Sequence, residues 1–132
     1  MGRPAENQKT EIPPGTLYML VLKTLANGPM HGYGIAQRIH QLSGDVLQVE
    51  EGSLYPALQR MLIKGWVDAA WGETDTGRRA RFYRLTAAGR KRLNAEISEF
   101  NRVIGAIGRV RSHRAISESI PARKALVDTT VQ

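Results

Sequence analysis

Gly52-Ser53-Leu54-Tyr55-Pro56-Ala57-Leu58-Gln59-Arg60-Met61 is the stretch whose reading decides the fold. Leu54, Leu58 and Met61 recur at i, i+4 and i+7, which predicts a short helix with its apolar face turned inward and Ser53, Tyr55, Gln59 and Arg60 turned to solvent. Ser53 reads as the N-cap and Pro56 as a first-turn residue, where a missing N–H costs nothing because those amides lack an intrahelical partner. Gly65 ends the helix. Any helix of a small domain carries such an outer face, so the stretch alone does not assign it a role; its flanks do.

Upstream, residues 1–14 are polar, contain Pro4, Pro13 and Pro14, and read as a flexible arm. A helix follows with Leu17, Leu20, Val21 and Leu25 in one stripe, while Tyr18, Met19 and Leu22 make much of its remaining surface apolar. Such a helix must be covered on two sides, by a partner subunit or by a central place in its own core. Asn27-Gly28-Pro29 stops it, and His31-Gly32-Tyr33-Gly34 leads into a second helix with Ile35, Ile39 and Leu42 as its inner stripe. Ser43-Gly44 closes that helix, and a connection over residues 45–51 feeds the third. The second and third helices form a candidate helix-turn-helix pair, joined by a link of winged-helix length.

Downstream, residues 66–71 and 80–85 are strand-like runs around the segment 72–79, a hairpin with a long tip ending in Arg78 and Arg79. A lone hairpin is barely stable, so Trp66, Val67, Phe82 and Leu85 are expected to anchor it on the helices. Thr86 is a good N-cap for a long last helix in which Leu93, Ile97, Phe100, Ile104 and Ile107 are spaced 4-3-4-3 as a heptad seam. Two heptads suit packing against a two-fold mate, or back onto the same domain. The tail over residues 112–132 is mixed and weakly apolar, interrupted by Pro121, with room for one short helix near residues 123–127.

The expected fold is therefore mainly α with a small β-hairpin wing: a winged helix-turn-helix domain over residues 15–86 and a dimerisation helix over residues 87–111. In that architecture the third helix enters a DNA groove and the wing reaches the adjacent backbone or minor groove. The charge fits. Residues 52–92 hold nine Lys and Arg against three Asp and Glu, and so supply most of the net charge of +7. A basic region beside a solvated helix face is the electrostatic footprint of a phosphate-binding surface.

Composition also excludes much. The 132 residues make one domain, or one domain with an appendage, and contain no cysteine, which removes disulfides, thiolate metal sites and thiol catalysis. No apolar run is long enough to span a bilayer and no signal-peptide core precedes residue 15, so a cytoplasmic protein is expected. His31, His40 and His113 lack metal-ligand spacing, Glu50-Glu51 point in different directions, and no phosphate-binding glycine loop is present. No metal, cofactor or enzymatic activity is expected.

In order along residues 15–110, Gly15-Thr16-Leu17, Gly28-Pro29-Met30-His31-Gly32-Tyr33-Gly34-Ile35, Gly52-Ser53-Leu54-Tyr55-Pro56-Ala57-Leu58, Gly65-Trp66-Val67 and Arg81-Phe82-Tyr83-Arg84-Leu85-Thr86-Ala87-Ala88-Gly89 resemble the PadR family of bacterial transcriptional regulators. The resemblance implies a homodimeric repressor of a nearby promoter that binds palindromic double-stranded DNA and is often released by a small aromatic or drug-like effector. Ser53 and Tyr55 match the family's DNA-facing start of the recognition helix, and Arg78, Arg79 and Arg81 its basic wing. Phe100 stands where many members carry tryptophan, and Met61-Leu62-Ile63 depart from the charge usual in that turn.

On this reading Ser53 and Tyr55 position the helix on phosphate, Gln59 pairs with adenine, Arg60 with guanine or phosphate, and the wing arginines add salt-sensitive affinity. Dimer contacts are expected from Tyr18, Leu22, Leu93, Ile97, Phe100, Ile104 and Ile107, and an effector cavity from Trp66, Trp71 and Phe100, with Tyr18 beside them. The competing reading is a dimeric helical module that binds protein through Leu62, Ile63 and Trp71.

Overall fold

The computed structural model describes residues 10–13 and 15–114; the rest of the expected N-terminal arm and the tail beyond residue 114, including the helix expected near residues 123–127, lie outside the described residues. Along the chain run β1 (Thr10–Glu11), α1 (Leu17–Leu25), β2 (Met30–His31), α2 (Gly32–Leu42), β3 (Leu47–Gln48), α3 (Glu51–Ile63), β4 (Val67–Glu73), β5 (Arg79–Leu85) and α4 (Ala87–Arg111). The expected mainly helical fold with a hairpin wing is the observed one. The described residues up to Glu99 form one compact unit and those from Phe100 a second.

The core of the first unit is built where the three helices and the wing meet. Val21 and Leu22 of α1, Ile35 of α2, and Ala57, Leu58 and Met61 of α3 are 0% exposed. At roughly 1.5–3 kcal/mol per fully buried large aliphatic side chain, this seam is the main favourable term of the domain. The one buried polar side chain among the described residues, Thr24, is satisfied by donating its hydroxyl to the Leu20 carbonyl at 2.8 Å. Because α1 touches α2, α3 and β5, its all-round apolarity is that of a central core helix. Leu22 is therefore sealed inside its own domain and does not serve the dimer contact expected of it.

Local chemistry sets the element ends. His31 caps α2 by accepting the Gly34 N–H on Nδ1 at 3.1 Å. Ser43 Oγ donates to the His40 carbonyl and accepts the Leu47 N–H, folding the chain after α2 back on itself. That return places β3 parallel to β1, with Thr10 opposite Leu47. Thr10 and Glu11, expected in the flexible arm, are thus paired strand. The inner stripe of α2 ends at Ile39, and Leu42 is 65% exposed because the helix terminates as its face rotates off the core.

The α3 helix starts three residues earlier than expected, with Glu50 and not Ser53 at the N-cap. Ser53 is accordingly an exposed residue of the first turn and does not cap it. Pro56 falls beyond that turn, and its missing N–H leaves the Gly52 carbonyl without the usual i+4 donor.

The wing strands are longer and its tip tighter than expected. β4 and β5 pair from Val67 opposite Leu85 to Glu73 opposite Arg79, leaving residues 74–78 as the turn. Thr74 closes this turn: its N–H donates to the Arg78 carbonyl and its hydroxyl accepts the Arg78 N–H. Met30–His31 adds a third strand along β5, so the sheet order is β2-β5-β4. Tyr83, 7% exposed, is the aromatic that enters the core from β5. Phe82, expected there, faces the other side and meets His31 edge-on.

The wing is joined to α4 by a close approach. Thr86 caps α4 by accepting the Gly89 N–H at 3.0 Å, donates its hydroxyl to the Gly65 carbonyl at 2.7 Å, and gives its own N–H to the Trp66 carbonyl. Gly89 packs so tightly here that a Cβ would overlap the Trp66 carbonyl oxygen. Gly89→Ala is expected to destabilise the domain by about 1–3 kcal/mol or more, read as a lowered midpoint in urea, because backbone and not a flexible side chain must yield.

Candidate nucleic-acid interface

With Leu54, Ala57, Leu58 and Met61 buried, helical periodicity puts Gly52, Pro56, Gln59 and Ile63 on the opposite side of α3, and all four are exposed. This ridge holds a single hydrogen-bonding side chain, Gln59. Ile63 is 76% exposed, whereas Leu62, expected beside it at the surface, packs against the core.

The two flanks of α3 are tied to its neighbours. On one flank Arg60 Nε donates to the Tyr18 hydroxyl of α1, with the guanidinium 5.6 Å from the centre of the Tyr18 ring. Arg60, expected to pair with guanine or phosphate, is exposed and hydrogen-bonded to α1. On the other flank the Tyr55 ring lies against Gly32 at the start of α2, where a Cβ would stand 2.7 Å from the ring. Tyr55 is 43% exposed. Partial burial, with Glu51 and Tyr83 nearby, pushes its hydroxyl above the ordinary phenol range, so it stays protonated and able to donate at neutral pH. Ser53 is exposed at the N-terminal end of the same helix.

Tyr18 belongs to a larger stack. Its ring meets Trp66 edge-on at 5.8 Å, and Trp66 in turn lies near two cations, Lys64 at 5.6 Å and Arg92 of α4 at 4.8 Å. Arg92 is paired with Glu96 one turn on, at 2.7 Å. This chain of aromatic and cationic groups links α1, α3, the base of the wing and α4. Trp66 is thereby a partly buried member of a stack. Trp71 stands five residues further along the wing, about 16 Å at the usual rise of a strand, so Trp66 and Trp71, two of the three expected effector residues, do not line one small pocket within a chain.

On the wing, Arg78 lies in the turn and Arg79 and Arg81 on β5, all exposed. Arg84 is neutralised locally by Asp68 across the strands at 2.8 Å; this hydrogen-bonded guanidinium holds the Asp68 carboxyl below the usual carboxylate range. A cleft of about 640 Å³ separates the wing turn from α2, lined by Tyr33, Gln37, Thr74, Arg78 and Arg79 among others. Tyr33 is 60% exposed and accepts a hydrogen bond from Gln37 on its hydroxyl. Neither was picked out from sequence, although an aromatic between two glycines at a helix start was the available signal.

In the second unit, Val103, Ile104, Ile107 and Val110 of α4 are 38%, 47%, 54% and 78% exposed and follow a single helical stripe. Phe100 is partly exposed. Leu93, expected in the same seam, is buried in the core of the first unit, and Ile97 is partly buried against it.

Three helices, a three-stranded sheet and an arginine-bearing hairpin define a winged helix-turn-helix DNA-binding protein. Residues 21–95 match the model of the transcriptional regulator PadR-like family, and the chain belongs to that family. A 37.1 kDa protein in transposon TN4556 of Streptomyces fradiae is 42% identical over 89 residues, which span 67% of this chain and 24% of that protein. The chain thus covers about a quarter of that relative. Among solved structures, a transcriptional regulator from Clostridium thermocellum superposes with a TM-score of 0.66 at 25% identity, over 72% of this chain and 92% of the other. A PadR-like transcriptional regulator from Bacillus cereus has the same fold, with a TM-score of 0.65 at 20% identity over 76% and 95%.

The Arg60–Tyr18 contact is testable by a double-mutant cycle of Arg60→Ala and Tyr18→Phe in urea denaturation. A coupling of about 0.5–1 kcal/mol is expected, whereas additive effects would show that the hydrogen bond to the Tyr18 hydroxyl contributes nothing.

Proposed function

We propose that this PadR-like regulator is a homodimer that represses a nearby promoter in the cytoplasm by binding a palindromic site. In this reading, the two α3 helices enter successive major grooves about 34 Å apart. The observation that carries the proposal is the solvent ridge of α3, with one base-reading side chain, Gln59, between apolar Pro56 and Ile63 and the basic wing following it in the chain. Gln59 pairs with adenine, and the apolar neighbours suit thymine methyl groups. Tyr55 and Ser53 bind phosphate, Tyr55 through a hydroxyl steadied by its packing on Gly32. Arg78, Arg79 and Arg81 supply sequence-independent affinity.

The exposed stripe of Val103, Ile104, Ile107 and Val110 supports self-association, because a bare apolar helix face is stabilised when a second copy covers it. Ile107→Lys is expected to shift the species in sedimentation from dimer to monomer and to weaken operator binding. A dimer that survives this change would move the interface elsewhere. Relief by a small aromatic effector is part of the same reading and is tested by tryptophan emission across a panel of planar aromatics; a flat response would remove it.

The DNA roles separate by salt. Arg79→Ala should reduce the slope of log K against log salt by about 0.9, the loss of one phosphate contact. Gln59→Ala should leave that slope unchanged while narrowing the gap between operator and unrelated duplex by about 1–3 kcal/mol. If both variants bind every duplex as the wild type does, the interface is misplaced.

A further inference from the structure

We propose that Trp71 is a DNA contact of the wing, its indole packing against the sugar wall of the minor groove beside the site reached by α3. This inference rests on the DNA-binding reading above and extends it to a residue expected from sequence only in an effector cavity or a protein-binding patch.

Strand register carries the argument. Antiparallel partners share a face and alternate residues along a strand return to it, so Val67 with Leu85, Ala69 with Tyr83, Trp71 with Arg81, and Glu73 with Arg79 lie on one side of the wing. At the base of the wing this side is the core side, with Val67 2% and Tyr83 7% exposed. Further out the same side leaves the core, and Trp71 is 62% exposed. An indole placed there for packing within the domain would be covered by it.

Its neighbours select the partner. The Arg79 guanidinium lies 4.7 Å from the indole centre, and Arg81, directly opposite Trp71, lies 5.9 Å from the centre of the Tyr83 ring. The row Tyr83, Arg81, Trp71, Arg79 therefore alternates aromatic and cationic groups and starts at Tyr83 in the core. Glu73 faces Arg79 across the strands and Asp75 sits in the turn, against the cations of Arg78, Arg79 and Arg81. A surface of an apolar plate between guanidinium groups is complementary to duplex DNA, in which phosphates flank an apolar deoxyribose wall. The cations take the phosphates while the plate covers C–H surface, so Trp71 contributes affinity without releasing counterions.

That last property gives the test. The full chain is titrated with a duplex from upstream of its own gene at several salt concentrations. Trp71→Ala should bind about tenfold more weakly with the salt slope unchanged, and Trp71→Phe should recover most of the loss. In the Trp66→Phe variant, where Trp71 is the sole tryptophan, duplex should quench the tryptophan emission and shield it from acrylamide. Wild-type affinity in Trp71→Ala, a reduced salt slope, or unchanged Trp71 emission while anisotropy reports bound duplex would each overturn the proposal. The reduced slope would mean that Trp71 only supports Arg79. Failure of the wild type to bind any duplex, even at low salt, would bring down the DNA-binding reading itself, and this inference with it.

Discussion

The buried seam of α3 is the constraint on which the rest of the structure depends. Leu54, Ala57, Leu58 and Met61 are at most 1% exposed, so the helix has a single rotational setting in the domain. Rotating it by one residue, about 100°, would turn these side chains out of the core and bring a flank, with Tyr55 or with Ser53 and Arg60, into it. Packing thus selects which side chains of α3 face solvent. It does so before any electrostatic contribution, and it accounts for a ridge with so few polar groups.

Two tethers then hold the helix against its neighbours. Arg60 reaches Tyr18 on one flank, and Tyr55 leans on Gly32 on the other. The first tether extends through Trp66 to Arg92 at the root of α4, while the close approach of Gly89 to the Trp66 carbonyl fixes that root against the wing. The wing base, α4 and α3 therefore meet around one residue, Trp66. A change in α4 has a short physical route to α3 through packed side chains, with no open cavity required.

The apolar outer stripe of α4 answers a different need. A domain of this size has few ways to bury more surface except against another chain. Leu93 and Ile97 are used within the core, so the stretch available for a partner begins further along α4 than a continuous heptad seam implies. One helix thereby serves two packing roles in sequence, first as a core element and then as an exposed face.

By itself the sequence determined the order of the four helices and the two wing strands, the inward face of α3, the Thr86 cap, the basic wing and the family. Each is written in local periodicity or in a side chain that meets its own neighbours within a few residues. Only the tertiary structure decided what the flanking residues do. Tyr18 and Arg60 are 42 positions apart, and nothing in the spacing of either helix says that they meet. Likewise Leu22 and Leu93 are as apolar as any interface residue, and only the packing of their own domain shows them sealed. The same holds for β1 against β3 and for Tyr83, not Phe82, entering the core. Period alone fixes a face to within one residue's turn; the neighbour that occupies it is set by chain folding over long separations.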